Sequence, residues 1–188
     1  RAMWEYEKEL DRYGTPMALM LLPHWTDGCI GSMEGLYFEA SSTTPYHFLS
    51  QSELSAAPSR AQRDLPYRNL DIDAGIRHLQ LLGVRYYLAF SDQAVEAADE
   101  HPDLTEVAVS EPWHVYEIAD SELVAPLTNE PAVLNGVTDA IHSWLPPSLD
   151  WYQDSSQWDV PLASSGPESW PRVDVGETPE RVPVDPVN

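Results

Sequence analysis

The chain has 188 residues, and 31 acidic against 10 basic side chains leave a formal charge of −21. That length supports one substantial core, and 43% apolar residues with 10% aromatics exclude wholesale disorder. A surface this negative repels phosphate backbones and anionic headgroups, so nucleic acid is excluded as a partner and cationic or neutral partners remain.

In chain order, Met3, Tyr6, Leu10 and Tyr13 recur at three- and four-residue steps before Gly14-Thr15-Pro16, which predicts a helix over 3–13. Met17 to Leu22 is a continuous apolar run between Pro16 and Pro23 and reads as a buried strand. It is far shorter than the roughly 20 residues a membrane span needs. From Pro23 to Pro45 no period holds, so a long ordered loop or a set of short strands is expected. The lone cysteine, Cys29, forms no internal disulfide and reads as a buried small apolar residue.

A helix is predicted from Asp71, with Ile72, Ile76, Leu79 and Leu82 on one face and Gly83 as its left-handed ending. Val84 to Phe90 follows as a strand. Ser91 or Asp92 caps a second helix carrying Ala94, Val95 and Ala98, ended by Pro102. Leu104–Val109 and Trp113–Ile118 read as two strands around Ser110-Glu111-Pro112. This αβαββ order predicts an α/β fold, a mixed β-sheet with helices packed on it. Val133 and Leu134 add a short strand, and Thr138 caps a short helix with Ile141, Trp144 and Leu145 on one face. Past Pro146 the composition turns irregular: ten of the 17 prolines lie from Pro126 onward and four of the seven tryptophans from Trp144 onward. The expected organisation is an α/β domain over 1–145, a Trp- and Pro-rich segment packed on it over 146–172, and a linker or edge strand over 173–188. Both termini read as boundaries inside a longer protein.

The segment from Leu21 to Phe48 gathers His24, Trp25, Asp27, Glu34, Glu39 and His47 among glycines and aromatics, a mixture that suits a ligand pocket on a loop. The competing reading makes Gly28, Gly31 and Gly35 turn formers and Trp25, Tyr37, Tyr46 and Phe48 core. Glu34 and Glu39 are the nearest pair of carboxylates for acid and base work on a sugar. No metal motif is present, and neither a metal nor a cofactor is expected. GSMEG at 31–35 places serine second, so the nucleophile elbow is not met, and no phosphate-cradling glycine loop occurs. Arg77, His78 and Arg85 read as partners for nearby acids. His101 and His114 read as cap and strand positions. Trp144, Trp151, Trp158 and Trp170 form a candidate aromatic clamp that either stacks on sugar rings or packs within the chain.

The stretches LLPHWTDGCIGSMEGLYFEASSTTPYHF, HLQLLGVRYYLAFS and WYQDSSQWDVPLASSGPESWPRV resemble the extracytoplasmic region of actinobacterial polytopic membrane proteins. These are of the YfhO and GT-C glycosyltransferase-related type, often labelled 6-pyruvoyl-tetrahydropterin synthase-related. The resemblance implies an accessory domain for cell-envelope glycan or lipid-linked sugar handling. Its partners would be the transmembrane part of the same polypeptide and a glycan or polyprenyl-linked sugar, at the extracytoplasmic face of the membrane. No residue here matches the catalytic acid of that type. The alternative reading is a purely structural or partner-docking module with no ligand pocket, one that braces membrane helices or takes a basic partner on its acidic surface.

Overall fold

The computed structural model describes residues 1–34 and 41–184, which fall into two compact units, Arg1–Val124 and Ala125–Asn188. The first unit holds a mixed four-stranded sheet in the order β1-β2-β4-β3, with β1 parallel to β2 and the other pairs antiparallel. Its strands are β1 (Ala2–Trp4), β2 (Tyr86–Ala89), β3 (Leu104–Ser110) and β4 (Trp113–Ile118). Between β1 and β2 run α1 (Leu22–Trp25), α2 (Thr44–Glu53) and α3 (Ile72–Leu81), and α4 (Asp92–Glu100) joins β2 to β3. The α/β reading, a mixed sheet with helices packed on it, is what the structure has.

The sheet is covered on both faces because its inner strands carry apolar side chains on both. On one face Met3, Tyr87, Ala89, Tyr116 and Ile118 pack with Ile76 and Leu79 of α3 and Ala94 and Ala98 of α4. On the other, Ala2, Trp4 and Leu88 pack with Leu19, Met20 and Leu22, and with Trp113 and Val115. The cap residues of α3 and α4 sit where the sequence puts them, whereas the helix that begins at Ile141 has Ala140, not Thr138, at its N-cap. Asp71 accepts from the Ala74 N–H, Ser91 accepts from the Ala94 N–H, and Gly83 takes φ +63° just past α3.

Four local expectations need correction. Residues 3–13 are not one helix: Ala2–Trp4 is a strand, and only Lys8–Tyr13 is helical, as a 3-10 helix. Ala2 and Trp4 face one core and Met3 the other, an alternation of two that a three-residue strand is too short to announce. Met17–Leu22 is not a strand but a 3-10 helix, Ala18–Leu21, leading into α1. A short apolar run fits either state, and here burial of Leu19 with exposure of Leu21 gives a one-sided helix. α2 was not foreseen, since its sequence TPYHFLSQSE has no apolar stripe; its buried residues include His47, Ser50, Gln51, Ser52 and Glu53. Cys29 is exposed rather than buried, on the turn that follows α1.

The second unit has a parallel sheet with β5 (Ala132–Leu134) between β6 (Leu162–Ala163) and β7 (Arg172–Val173). Ala132, Leu134, Val160 and Val173 form its core. Its helix α5, Ile141–Gln153, runs on through Pro146 and Pro147 instead of ending there, with Pro147, Leu149 and Tyr152 buried. Arg181 donates to both carboxylate oxygens of Asp159, at 2.7 and 3.2 Å, and this holds Asp159 below the usual aspartate range.

The transmembrane expectation is overturned. α5, at 13 residues, is the longest described helix and contains two prolines. No helix among the described residues is long and apolar enough to cross a membrane. The expected membrane-embedded partner in the same polypeptide, and the location at the extracytoplasmic face of a membrane that depended on it, are corrected on this finding.

Candidate functional site

Buried carboxylates organise the first unit from within. Glu5 follows β1 and is fully buried, and its carboxylate accepts four hydrogen bonds. The donors are the N–H of Ala56 at 3.2 Å, Phe90 at 2.8 Å and Ser91 at 2.8 Å, and the Ser91 hydroxyl at 2.7 Å. The same Ser91 caps α4, so one side chain ties the ends of β1 and β2 to the start of α4 and the segment after α2. A buried charge so fully satisfied is a structural part. Sequence reasoning missed it; the only sign was an acid directly after Met3-Trp4, in a stretch otherwise fit for a core.

α2 carries two further polar pairs. His47 Nε2 lies 2.6 Å from Glu34 Oε1, and that oxygen also accepts from Gln51 Nε2 at 2.9 Å. At the C-terminal end of α2, Glu53 Oε2 lies 2.6 Å from Nδ1 of His78 on α3, while Arg68 Nη1 stands 3.8 Å from Glu53 Oε1. These pairs explain how a polar helix is buried: its side chains bond to Glu34 and to His78 of α3 in place of water.

The expected pocket residues therefore separate. Glu34 and His47 come together in the interior. His24, Trp25 and Asp27 sit at the surface on α1 and the turn after it, with Trp25 57% exposed and Asp27 at φ +49°. Glu39 lies outside the described residues. Among the described residues no group of three or more His, Cys, Asp and Glu is placed to hold a metal.

Two of the four clamp tryptophans are engaged within the second unit. Trp151 Nε1 donates to the carbonyls of Gln157 and Val160, both at 3.0 Å, and Trp158 Nε1 donates to those of Trp151 and Tyr152. Trp170 lies against Gly166, where an added Cβ would stand 2.3 Å from its ring. Trp144 is half-buried on α5. Arg85 pairs with Glu117 at 2.6 Å, and His114 with Glu106 at 2.6 Å across the β3–β4 hairpin.

The surface of the first unit has a distinct chemistry along one side. From Asp92 to Glu122, through α4, β3 and β4, ten carboxylates occur with no lysine or arginine. β3 ends the sheet, and every residue from Thr105 to Ser110 is exposed. Beside the β3–β4 turn opens a groove of about 530 Å³ in which Glu7, Glu9, Asp92 and Glu111 face a single arginine, Arg12. The Arg12 guanidinium lies over the rings of Tyr13 and Phe90, at 4.9 and 5.7 Å. The charge run is visible in the sequence; its placement on an open sheet edge is not.

No family model matches this chain, and no curated protein and no solved structure matches it. Together with the lack of a membrane-crossing helix among the described residues, this overturns the resemblance to polytopic glycosyltransferase-related membrane proteins. The glycan-handling function read from that resemblance is corrected with it. Quoted stretches such as HLQLLGVRYYLAFS are those of an ordinary helix-to-strand unit, α3 into β2, whose apolar pattern many α/β folds require.

Proposed function

We propose that the chain is a docking module that receives a basic protein partner on the acidic side of its Arg1–Val124 unit. One observation carries this reading. The stretch from Asp92 to Glu122 carries ten carboxylates and no lysine or arginine, and it includes the exposed edge strand β3; of the ten, Glu117 is paired with Arg85 and Asp99 accepts from Tyr116. The polar groups with the chemistry of an active site support it from the other direction. Glu5, Glu34, His47, Glu53 and His78 are buried and bonded to one another or to backbone, where they serve the fold.

A negative surface attracts a cationic partner over about one Debye length, and salt weakens that attraction. A fluorescent oligolysine peptide is therefore expected to bind the full chain in an anisotropy titration, and an oligoglutamate peptide is not. Affinity should fall about tenfold between roughly 50 and 300 mM NaCl. Replacing Glu100, Glu106 and Glu111 together by glutamine should weaken binding further. Failure of oligolysine to bind at low salt sinks the reading.

A further inference from the structure

We infer that the outer edge of β3 receives an extended, basic segment of the partner as a fifth strand of the sheet. The inference rests on the docking function proposed above and names its mode. A sheet edge offers a row of unpaired N–H and C=O groups, and an incoming strand gains its affinity from them.

The ladder shows which groups those are. The Ile118 N–H donates to the Arg85 carbonyl, so Ile118 turns its backbone groups toward β2. Hydrogen-bonding direction alternates along an antiparallel strand, so Glu117, Val115 and Trp113 turn theirs toward β3. Their partners there are Thr105, Ala108 and Ser110. The peptide groups of Glu106 and Val109 consequently point away from the sheet. The opposite edge is not equivalent: β1 is already flanked by Gly31–Met33, with the Ala2 N–H donating to Gly31 at 2.7 Å and the Met33 N–H to Ala2 at 3.0 Å.

Charge selects the occupant. Two copies meeting edge to edge would bring Glu106 of β3, and Asp103 and Glu111 just beyond its two ends, near their own kind, and like charges across strands are destabilising. The irregularity between Glu106 and Ala108 also breaks the flat edge that self-pairing favours. Neither feature bars a strand of opposite charge. Val107 and Val109, 48% and 51% exposed, give such a strand apolar contacts between its basic positions.

The test uses two capped peptides of equal charge and roughly ten residues, one alternating lysine with valine and one alternating lysine with proline, the second unable to supply a full ladder. The lysine-valine peptide is expected to bind about tenfold more tightly and to slow amide exchange at Glu106 and Val109 by about tenfold or more, read by NMR. Val109→Pro removes one outward N–H and should weaken the lysine-valine peptide about tenfold while leaving the lysine-proline peptide unchanged. If Val109→Pro does not fold, Val109→Lys keeps the backbone and should weaken the lysine-valine peptide the more strongly of the two. Equal binding of both peptides without protection of those amides overturns the strand-addition inference and leaves acidic docking standing. No binding of either overturns both. Protection of Glu106 and Val109 without peptide, with dimers in sedimentation, overturns it in favour of a second copy.

Discussion

Glu5 concentrates more of the first unit's connectivity than any apolar residue of similar size. Glu5→Ala leaves the Ala56, Phe90 and Ser91 N–H groups without their acceptor. The expected loss is about 3–5 kcal/mol in urea denaturation, since each buried donor left unsatisfied costs about 1–3 kcal/mol. Two tyrosines make a second residue-scale argument. Tyr87 is fully buried and donates to the Leu54 carbonyl at 2.6 Å; burial pushes its hydroxyl well above the ordinary value of 10.0. Burial, and then the hydrogen bond to Asp99, raises Tyr116 likewise. Raised folded values mean that this stability is fully present below pH 10. It is lost as pH climbs from there through the folded values, because only the unfolded chain releases the protons. Alkaline unfolding should therefore steepen above about pH 10. Tyr87→Phe should cost about 1–2 kcal/mol at neutral pH and make the alkaline loss shallower, both read from melts followed by circular dichroism.

At the scale of elements, α2 and α3 meet where a glycine allows it. A Cβ on Gly75 would stand 2.6 and 2.7 Å from Leu54 Cδ2 and Cγ, and Leu54 is fully buried. Alanine would gain up to about 1 kcal/mol of helix propensity, but overpacking costs about 1–3 kcal/mol. Gly75→Ala is thus expected to lower the melting temperature, and a rise would show that Leu54 can repack. The same pair of helices marks what was legible. α3 announced itself through Asp71, its apolar face and Gly83. α2 did not, because its burial depends on Glu34 and on His78, residues distant in sequence whose partnership no period encodes. The separation of the expected pocket has the same cause. Glu34 and His47 belong to the polar interior of α2, whereas Trp25 and Asp27 follow a short helix to the surface.

For the molecule as a whole, a charge of −21 makes the folded state repel itself, and screening relieves that repulsion. The melting temperature should rise as NaCl increases from about 10 to about 300 mM. A fall would mean that ion pairs such as Arg85–Glu117 and Arg181–Asp159 outweigh the excess charge. The sequence by itself determined the mixed α/β character, the caps of α3 and α4, the β3–β4 hairpin and the sign of the chain's own charge, since each follows from local pattern or from composition. Tertiary structure alone decided that Ala2–Trp4 pairs with Tyr86–Leu88, that a polar helix lies buried, and that the acidic run passes through an open edge strand. The first two outcomes depend on contacts between residues 13 to 84 positions apart, and a local period carries no information about which distant segment completes it.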